Sequence, residues 1–306
     1  MSSILRKSQV GKFDLFITWN DNQTVVKDSI NLKKMQKQQY PIFLGGAGRS
    51  GTTLLRVILD SHPNICCGPE FRMTPTLANL FGSYDRQQIV LNQYGLDDQS
   101  VKEIFQNLFM TLTSRYRNKS GKPRFAEKTP GNCTVFPELA KIFPESPLIH
   151  IIRDGRDVVA SLRSQNWIDV RTGDPMDVTV DTRKAILHWK NSVLKGRSLA
   201  QSEAREQYYE LYYEHLVRSP EKELRELFNF LKEPWDDSVL AFHKLDRNLA
   251  AEASAGQVTR PLYTSSISKY VDVLTHADGL IIQEEAGFLL EELGYCVGGD
   301  WIRDLE

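Results

Sequence analysis

Short apolar runs and longer periodic stretches alternate along most of this chain. The short runs predict β-strands over five segments, 41–45, 64–67, 124–128, 147–152 and 207–212. Apolar residues spaced three or four apart predict helices over about 51–61, 136–143, 181–202, 220–231 and 281–293, and one that follows residues 153–157 and runs to about Ser164. Because strands alternate with helices, the pattern predicts an α/β domain with a central parallel sheet flanked by helices.

Residues 73–120 are also predicted to be helical. Asp97 and Asp98 precede an apolar stripe there as a capping signal. The stripe is expected to pack in the core and consists of Val101, Ile104, Phe105, Leu108 and Leu112. Two stretches with little periodicity, 166–180 and 246–272, are predicted to be loops, and the second is long enough to favour a functional role.

The first 40 residues are basic and polar, and we interpret them as an appendage to a single domain over 41–306. Alternation over 12–26 predicts a hairpin around Asn20–Asn22, and residues 31–39 fit a short helix.

Composition narrows the class of protein. The 306 residues carry 38 basic and 39 acidic side chains, which argues against a broad nucleic-acid-binding surface. No apolar run approaches the roughly 18 residues that span a membrane, and the N-terminus lacks the apolar core of a secretory signal. We therefore expect a cytoplasmic protein without a membrane association; the sequence is silent on its oligomeric state.

The four cysteines, Cys66, Cys67, Cys133 and Cys296, form no CxxC-type pair. This spacing predicts neither a disulfide framework nor a metal site, so free thiols in a reducing compartment are expected. Because Cys66 and Cys67 are adjacent, one is expected to face the core and the other to point away.

A glycine-rich turn, Gly45–Gly51, lies between the first predicted strand and its helix. Backbone N–H groups in such a turn, with the positive end of the helix, hold anions. The turn is not a Walker A motif, because Thr52 occupies the lysine position and Arg49 is the nearest cation. Hydroxyl groups at Ser50, Thr52 and Thr53 add hydrogen-bond donors for anionic oxygens.

Ionisable residues follow four of the predicted strands, namely Arg49, Glu70, Lys128 and Arg153. Ligands of parallel sheets bind beyond the carboxyl ends of the strands. The four side chains are therefore expected to share one site.

Four segments in this order, GRSGTTLLRVILDSHP, CGPEFR, EKTP and PLIHIIRDGRDVVASL, resemble the sulfotransferase family. Within it the chain looks most like the tyrosylprotein sulfotransferases and their soluble bacterial relatives, from about Pro41 to the last helix. The resemblance implies a P-loop-like sulfotransferase fold and the donor 3′-phosphoadenosine 5′-phosphosulfate (PAPS). The product would be 3′,5′-adenosine bisphosphate (PAP), and no metal would be needed.

The resemblance also implies roles for single residues. The glycine loop would hold the 5′-phosphosulfate through Arg49, Ser50, Gly51, Thr52 and Thr53. The remaining donor contacts would come from Arg153 and Ser161 at the 3′-phosphate, from Tyr213 at the nucleotide, and from Ser254 and Lys269 at the phosphates.

In the tyrosylprotein branch a glutamate at the position of Glu70 is the general base, and Arg49, Lys128 and Ser254 complete the implied catalytic group. A carboxylate can accept a hydroxyl proton as the bond to sulfur forms. Two alternatives remain open at this point. Glu70 could instead form a structural bridge with Arg72, and Arg153 could form an ion pair with Asp154 or Asp157.

Two positions depart from the tyrosylprotein pattern. The lumenal enzymes bridge a cysteine at the position of Cys67 to one at the position of Ala126, so that bridge cannot form here. Thr76 stands where they carry an arginine that reads acidic residues around the target tyrosine.

We therefore expect a hydroxyl, or a nitrogen, of a small-molecule or natural-product acceptor. A tyrosylprotein sulfotransferase is the alternative. A P-loop kinase or NTPase and an inactive nucleotide-binding module are remote alternatives.

Overall fold

The fold is described from a computed structural model of the chain. The structure describes residues 40–85, 87–169, 171–245, 256 and 258–305, together with the backbone of 6–10 and 13–17. The chain divides into two compact units, Met1–Lys37 and Gln38–Glu306.

In the first unit, strand β1 (Arg6–Val10) pairs antiparallel with β2 (Phe13–Ile17). The predicted hairpin over 12–26 required Phe13–Ile17 to pair with residues that follow it, whereas the structure pairs it with the segment before. The predicted turn at Asn20–Asn22 and the helix over 31–39 lie outside the described residues.

The second unit is built on a five-stranded parallel sheet with the strand order β4-β5-β3-β6-β7. The strands are β3 (Ile42–Gly45), β4 (Ile65–Cys67), β5 (Arg124–Lys128), β6 (Leu148–Ile152) and β7 (Tyr208–Tyr212). The first four are buried along their whole length, as expected for a parallel sheet with helices on both faces. The predicted fold class is confirmed.

Helices connect the strands and cover the sheet. They are α1 (Thr52–Ser61), α2 (Thr74–Asp85), α3 (Gln88–Gln93), α4 (Asp98–Ser120), α5 (Phe136–Ile142), α6 (Gly155–Arg163), α7 (Asp177–Val180), α8 (Thr182–Arg197), α9 (Tyr213–Arg218), α10 (Pro220–Leu231) and α11 (His276–Glu292). Helix α11 begins five residues before its predicted start, because Thr275 and Asp278 form a capping box there. None of the described helices is long and apolar enough to cross a membrane.

Both faces of the sheet are packed. One face packs mainly against α1 and α10, and the other against α2, α4 and α5. Cys67 lies in the first packing cluster and Cys66 in the second, and both thiols are buried. The expectation that one of them points away from the core is therefore wrong, because helices cover the sheet on either side.

A second expectation, that the whole apolar stripe of α4 packs in the core, is wrong for three of its five residues. Ile104, Leu108 and Leu112 are 51%, 41% and 43% exposed. Val101 and Phe105 of the predicted stripe are buried as expected, and the core-facing row continues at Phe109 and Thr113. Two apolar rows with the same four-residue spacing lie side by side on this helix. The row with the two phenylalanines packs in the core, where Phe109 contacts Phe43 and Phe125.

Candidate active site

The strand order brings the predicted site residues to one edge of the sheet. Read across the strands, the carboxyl ends lead to Glu70 after β4, Lys128 at the end of β5, the glycine loop after β3 and Arg153 after β6. Tyr213 follows β7. Neighbouring strands of a parallel sheet end side by side, so residues distant in sequence meet here.

The glycine loop between β3 and α1 leaves little room for side chains at two of its positions. Gly51 has φ +93°, and a Cβ there would lie 2.7 Å from the Tyr213 ring. A Cβ on Gly46 would lie 2.4 Å from the backbone oxygen of Ile151. Arg49 also has a positive φ, of 73°, which is unfavourable for a residue with a side chain. The loop is thus held in a backbone path that presents Arg49 and the start of α1 to the same space.

A cavity of about 910 Å³ opens beside the loop. Most of the predicted site residues line it, namely Arg49, Gly51, Thr52, Thr53, Glu70, Arg153, Ser161, Tyr213 and Lys269. Lys128 and Ser50 do not line the cavity. Lys128 is fully buried behind Glu70, and the side chain of Ser50 is buried while its backbone N–H donates to Ala47 O at 3.1 Å. Ser254 lies outside the described residues.

Two arginines stand close together at the loop. Arg49 Nε donates to Ser161 Oγ at 3.0 Å, and Arg153 Nη1 donates to the backbone oxygen of Arg49 at 3.0 Å. Burial, and then the charge of Arg153, lower the pKa of the Arg49 guanidinium below its ordinary value. Two like charges this close, both partly desolvated, favour an anion between or beside them.

Arg153 also contacts the segment before Lys269. It donates to the backbone oxygen of Ser266, lies 4.9 Å from the centre of the Tyr213 ring, and forms an ion pair with Asp157 at 3.5 Å. The alternative ion pair with Asp157 is therefore present, whereas Asp154 pairs with Arg156 at 2.7 Å. Neither contact removes Arg153 from the cavity wall.

Glu70 lies between two cations. Its Oε1 accepts from Lys128 Nζ at 3.0 Å, and its Oε2 accepts from Arg72 Nε at 3.0 Å. The bridge to Arg72 considered from the sequence exists, but Arg72 is 74% exposed whereas Lys128 is fully buried. Lys128 Nζ also donates to Thr53 Oγ1 at 3.4 Å, which connects the carboxylate to the first turn of α1.

The residues present fit an anionic, phosphate-like group. Arg153 lines the cavity, and its buried Nε has no hydrogen-bond partner among the described residues. A Cβ on Gly48 would meet no atom within 4 Å among them, so this glycine leaves open space on the cavity wall. Helix α1 begins at Thr52 without a side-chain cap, and Thr52 and Thr53 of its first turn line the cavity. The unpaired N–H groups at a helix N-terminus favour an anion there.

The described residues contain no cluster of three or more His, Cys, Asp or Glu side chains that could hold a metal ion.

Sequence reasoning missed several residues at the cavity. Asp157 was considered only as a partner for Arg153, yet its carboxylate accepts from the backbone N–H groups of Ser268 and Tyr270 at 2.9 and 3.0 Å and so holds the segment around Lys269. Trp167, His188, Arg260 and Tyr263 also line the cavity. Arg260 and Tyr263 lie in the long stretch over 246–272, and the length of that stretch was the only feature of the sequence that indicated a functional role.

A family model described as "Sulfotransferase family" matches residues 41–237, about two thirds of the chain. Together with the parallel sheet and the glycine-loop site, this match defines the class, and the chain belongs to the sulfotransferase family. The predicted family and enzyme class are confirmed.

Two curated relatives make the likeness more specific. The chain is 30% identical over 261 residues to protein-tyrosine sulfotransferase A of Caenorhabditis elegans, and 31% identical over 241 residues to protein-tyrosine sulfotransferase 1 of Danio rerio. The alignments cover 83% and 75% of this chain. The chain spans 67% and 65% of the lengths of these relatives.

Solved structures support the fold. The sulfotransferase domain of the Synechococcus PCC 7002 olefin synthase has a TM-score of 0.61 and 21% identity, and the alignment covers 87% of this chain and 98% of that one. Mouse sulfotransferase SULT7A1, solved in complex with PAP, has a TM-score of 0.51 and 15% identity over 85% of this chain and 90% of that one. At these identities the likeness concerns the fold alone.

The expectation of a small-molecule acceptor is wrong. The curated relatives named above are protein-tyrosine sulfotransferases, which favours the alternative considered from the sequence. That expectation gave too much weight to Thr76. An arginine at that position would affect which residues are preferred around a target tyrosine. The reaction itself needs a base and a cation at the reacting hydroxyl, and Glu70 and Lys128 are both present.

Proposed function

We propose that this protein transfers a sulfonyl group from PAPS to the phenolic hydroxyl of a tyrosine in a protein or peptide. The observation that carries the proposal is the contact of Glu70 with Lys128 at 3.0 Å, next to an arginine-bearing glycine loop on the wall of the same cavity. The base and the anion-binding elements are then close enough to act on one reacting group.

The reaction is an in-line transfer at sulfur. The tyrosine oxygen forms a bond to the sulfur while Glu70 accepts the phenolic proton. The bond between sulfur and the bridging phosphate oxygen breaks, and PAP leaves with that electron pair. Lys128 and Arg49 would stabilise the negative charge that develops on the sulfonyl oxygens and on the departing oxygen.

We propose that Arg49 and Arg153 bind the two phosphate-bearing ends of the donor. Arg49, Gly51, Thr52 and Thr53 would hold the 5′-phosphosulfate through side chains and the N-terminus of α1. Arg153 and Ser161 would hold the 3′-phosphate; the hydrogen bond between Arg49 and Ser161 supports placing both phosphate groups at one cavity.

Other donor contacts remain part of the proposal. Tyr213 and Lys269 line the cavity, which supports their contact with the nucleotide and its phosphates. Ser50 finds less support, because its hydroxyl is buried away from the cavity lining. The role implied for Ser254 rests on the family resemblance.

A protein acceptor is supported by the relatives and by the setting of the base. The two curated relatives are named for tyrosine in proteins. Glu70 is only partly buried, with 24% of its side chain exposed, and the neighbouring Arg72 and Met73 are exposed. A base at an open edge can be reached by a side chain that projects from a folded or extended partner.

Binding and transfer test the proposal separately. Calorimetry should show that PAP binds more tightly than ATP with magnesium; the reverse order would favour a kinase or NTPase. Incubation with PAPS and a tyrosine peptide should then place a sulfonate on the tyrosine oxygen. Binding of PAP without transfer to any tyrosine peptide would contradict the enzymatic part of the proposal.

A cytoplasmic location stays a prediction. Its support is that all four cysteines are free thiols and that Ala126 is the register partner of Cys67 on the neighbouring strand. Fractionation of cells that produce the full-length protein would test it.

A further inference from the structure

Glu127 is a buried carboxyl group that the proposed reaction does not use. It precedes Lys128 on β5, and successive side chains of a strand point to opposite faces. Lys128 extends towards Glu70, so Glu127 extends the other way, where it is 1% exposed. Burial raises the pKa of this carboxyl, and hydrogen bonds from Asn132 and Thr129 act in the opposite sense.

The Glu127 carboxyl anchors the two residues that follow the proposed base. Its Oε1 accepts from the Phe71 backbone N–H at 3.4 Å and from Thr129 Oγ1 at 2.7 Å. Thr129 Oγ1 in turn accepts from the Arg72 backbone N–H at 3.0 Å. Arg72 has φ +59°, a conformation that a residue with a side chain rarely holds without such support.

The same carboxyl is connected to the glycine loop. Its Oε2 accepts from Asn132 Nδ2 at 2.7 Å. The same amide also donates to the backbone oxygen of Leu44, the last residue but one of β3, at 3.1 Å. In the same turn, the Gly46 backbone N–H donates to Pro130 O at 3.0 Å. One buried group therefore connects the base segment to the strand that leads into the anion-binding loop.

We propose that Glu127 is a positioning residue that sets the distance and direction of Glu70 relative to the glycine loop. The inference rests on the proposed function, in which Glu70 accepts the acceptor's proton. Glu127 acts through the backbone of Phe71 and Arg72 and touches neither substrate.

The test is Glu127→Gln, which replaces one acceptor oxygen with an NH₂ group among donors and so breaks part of the network. Since displacements of about 1 Å at a reacting group cost up to about 100-fold in rate, we expect kcat to fall about 10- to 100-fold. Calorimetry should show that the Kd of PAP stays within about twofold of wild type. The variant displaces the base and leaves the residues that bind the donor product unchanged.

Thr129→Val provides a second variant, which keeps the shape of the side chain but removes the hydroxyl between Glu127 and Arg72. It should give the same separation of kcat from the Kd of PAP, and it decides the question if Glu127→Gln does not fold. Glu233→Gln is the matched control, because Glu233 is a buried carboxylate paired with Arg124 at 2.9 Å and is not part of the cavity lining. It should lower Tm and leave kcat unchanged.

Wild-type kcat in both variants would overturn the proposal, and so would a fall in PAP affinity by the same factor as kcat. Wild-type protein in the same assay separates the two claims. A loss of rate in the variants with normal transfer by the wild type supports the role of Glu127. No transfer by the wild type would overturn the proposed function and the role of Glu127 with it.

Discussion

Lys128 Nζ lies 3.0 Å from Glu70 Oε1, although the two residues are 58 positions apart in the chain. Neighbouring parallel strands bring them together, because Glu70 follows β4 and Lys128 ends β5. The ion pair holds Glu70, the proposed base, beside Lys128, the cation that is proposed to stabilise charge on the donor. This contact makes the assignment of the site testable by single substitutions.

Glu70→Gln should remove most of the transfer activity and leave donor-product affinity intact. General-base catalysis contributes about 10²- to 10⁴-fold, so kcat should fall by that range. Calorimetry with PAP should give a Kd close to wild type. A variant that turns over at the wild-type rate would exclude Glu70 as the base.

Arg153→Ala should weaken PAP binding. Hydrogen bonds to charged groups contribute about 1.5–3 kcal/mol, so Kd should rise about 10- to 150-fold. Arg163→Ala, at the last residue of α6, is a control that keeps the loop contacts of Arg153. Equal PAP affinity in Arg153→Ala and wild type would mean that the 3′-phosphate binds elsewhere.

Two glycines of the loop should respond differently to alanine. Gly51→Ala places a Cβ at φ +93° and against the Tyr213 ring, so it should destabilise the protein by about 2 kcal/mol or more. Gly48→Ala meets no described atom within 4 Å and should leave Tm unchanged. It should nevertheless weaken PAP binding, because the added methyl group occupies space on the cavity wall.

Thermal unfolding and calorimetry check this pair of variants together. A Gly48→Ala variant with wild-type PAP affinity would show that the donor does not approach the loop at this glycine.

His150 should make the fold sensitive to mild acid. Burial lowers the pKa of its imidazole to about 3. The Tyr208 hydroxyl donates to Glu210 at 2.9 Å, so His150 Nδ1 donates to Tyr208 Oη at 2.7 Å and the ring is neutral. The unfolded chain binds a proton at this imidazole near pH 6.5, whereas the folded protein binds it only near pH 3. The neutral ring therefore contributes stability that is fully present above about pH 6.5 and is lost as the pH falls towards 3.

Between pH 7.5 and 5, this group should lower the free energy of unfolding by about 2 kcal/mol. Urea unfolding at the two pH values measures the loss. In His150→Gln the loss should be smaller by that amount, whereas His215→Gln, at an exposed position of α9, should behave as wild type. An identical pH dependence in His150→Gln and wild type would contradict the assignment.

The sequence predicted the sheet, and it predicted which side chains lie together at one edge of the sheet, because the relevant signals are local. A buried strand that ends in a charged residue can be recognised from a few positions, and parallel topology then places Glu70, Lys128 and Arg153 at one edge. The glycine loop was recognisable for the same reason.

What could not be predicted depends on contacts between distant segments. Which apolar row of α4 is buried depends on the aromatic residues opposite it, Phe43 and Phe125. The network at Glu127 involves backbone groups of Phe71 and Arg72, which carry no sequence signal. Thr76 misled the choice of acceptor because one absent cation says nothing about the reacting atoms.

The most direct test of the central claim is a transfer assay with PAPS and a pair of peptides that differ only in tyrosine or phenylalanine at one position. Mass spectrometry should find a sulfonate on the tyrosine peptide with wild-type protein, none on the phenylalanine peptide, and almost none with Glu70→Gln. Sulfonation of a residue other than tyrosine, or none on any tyrosine peptide while PAP binds, would contradict the account.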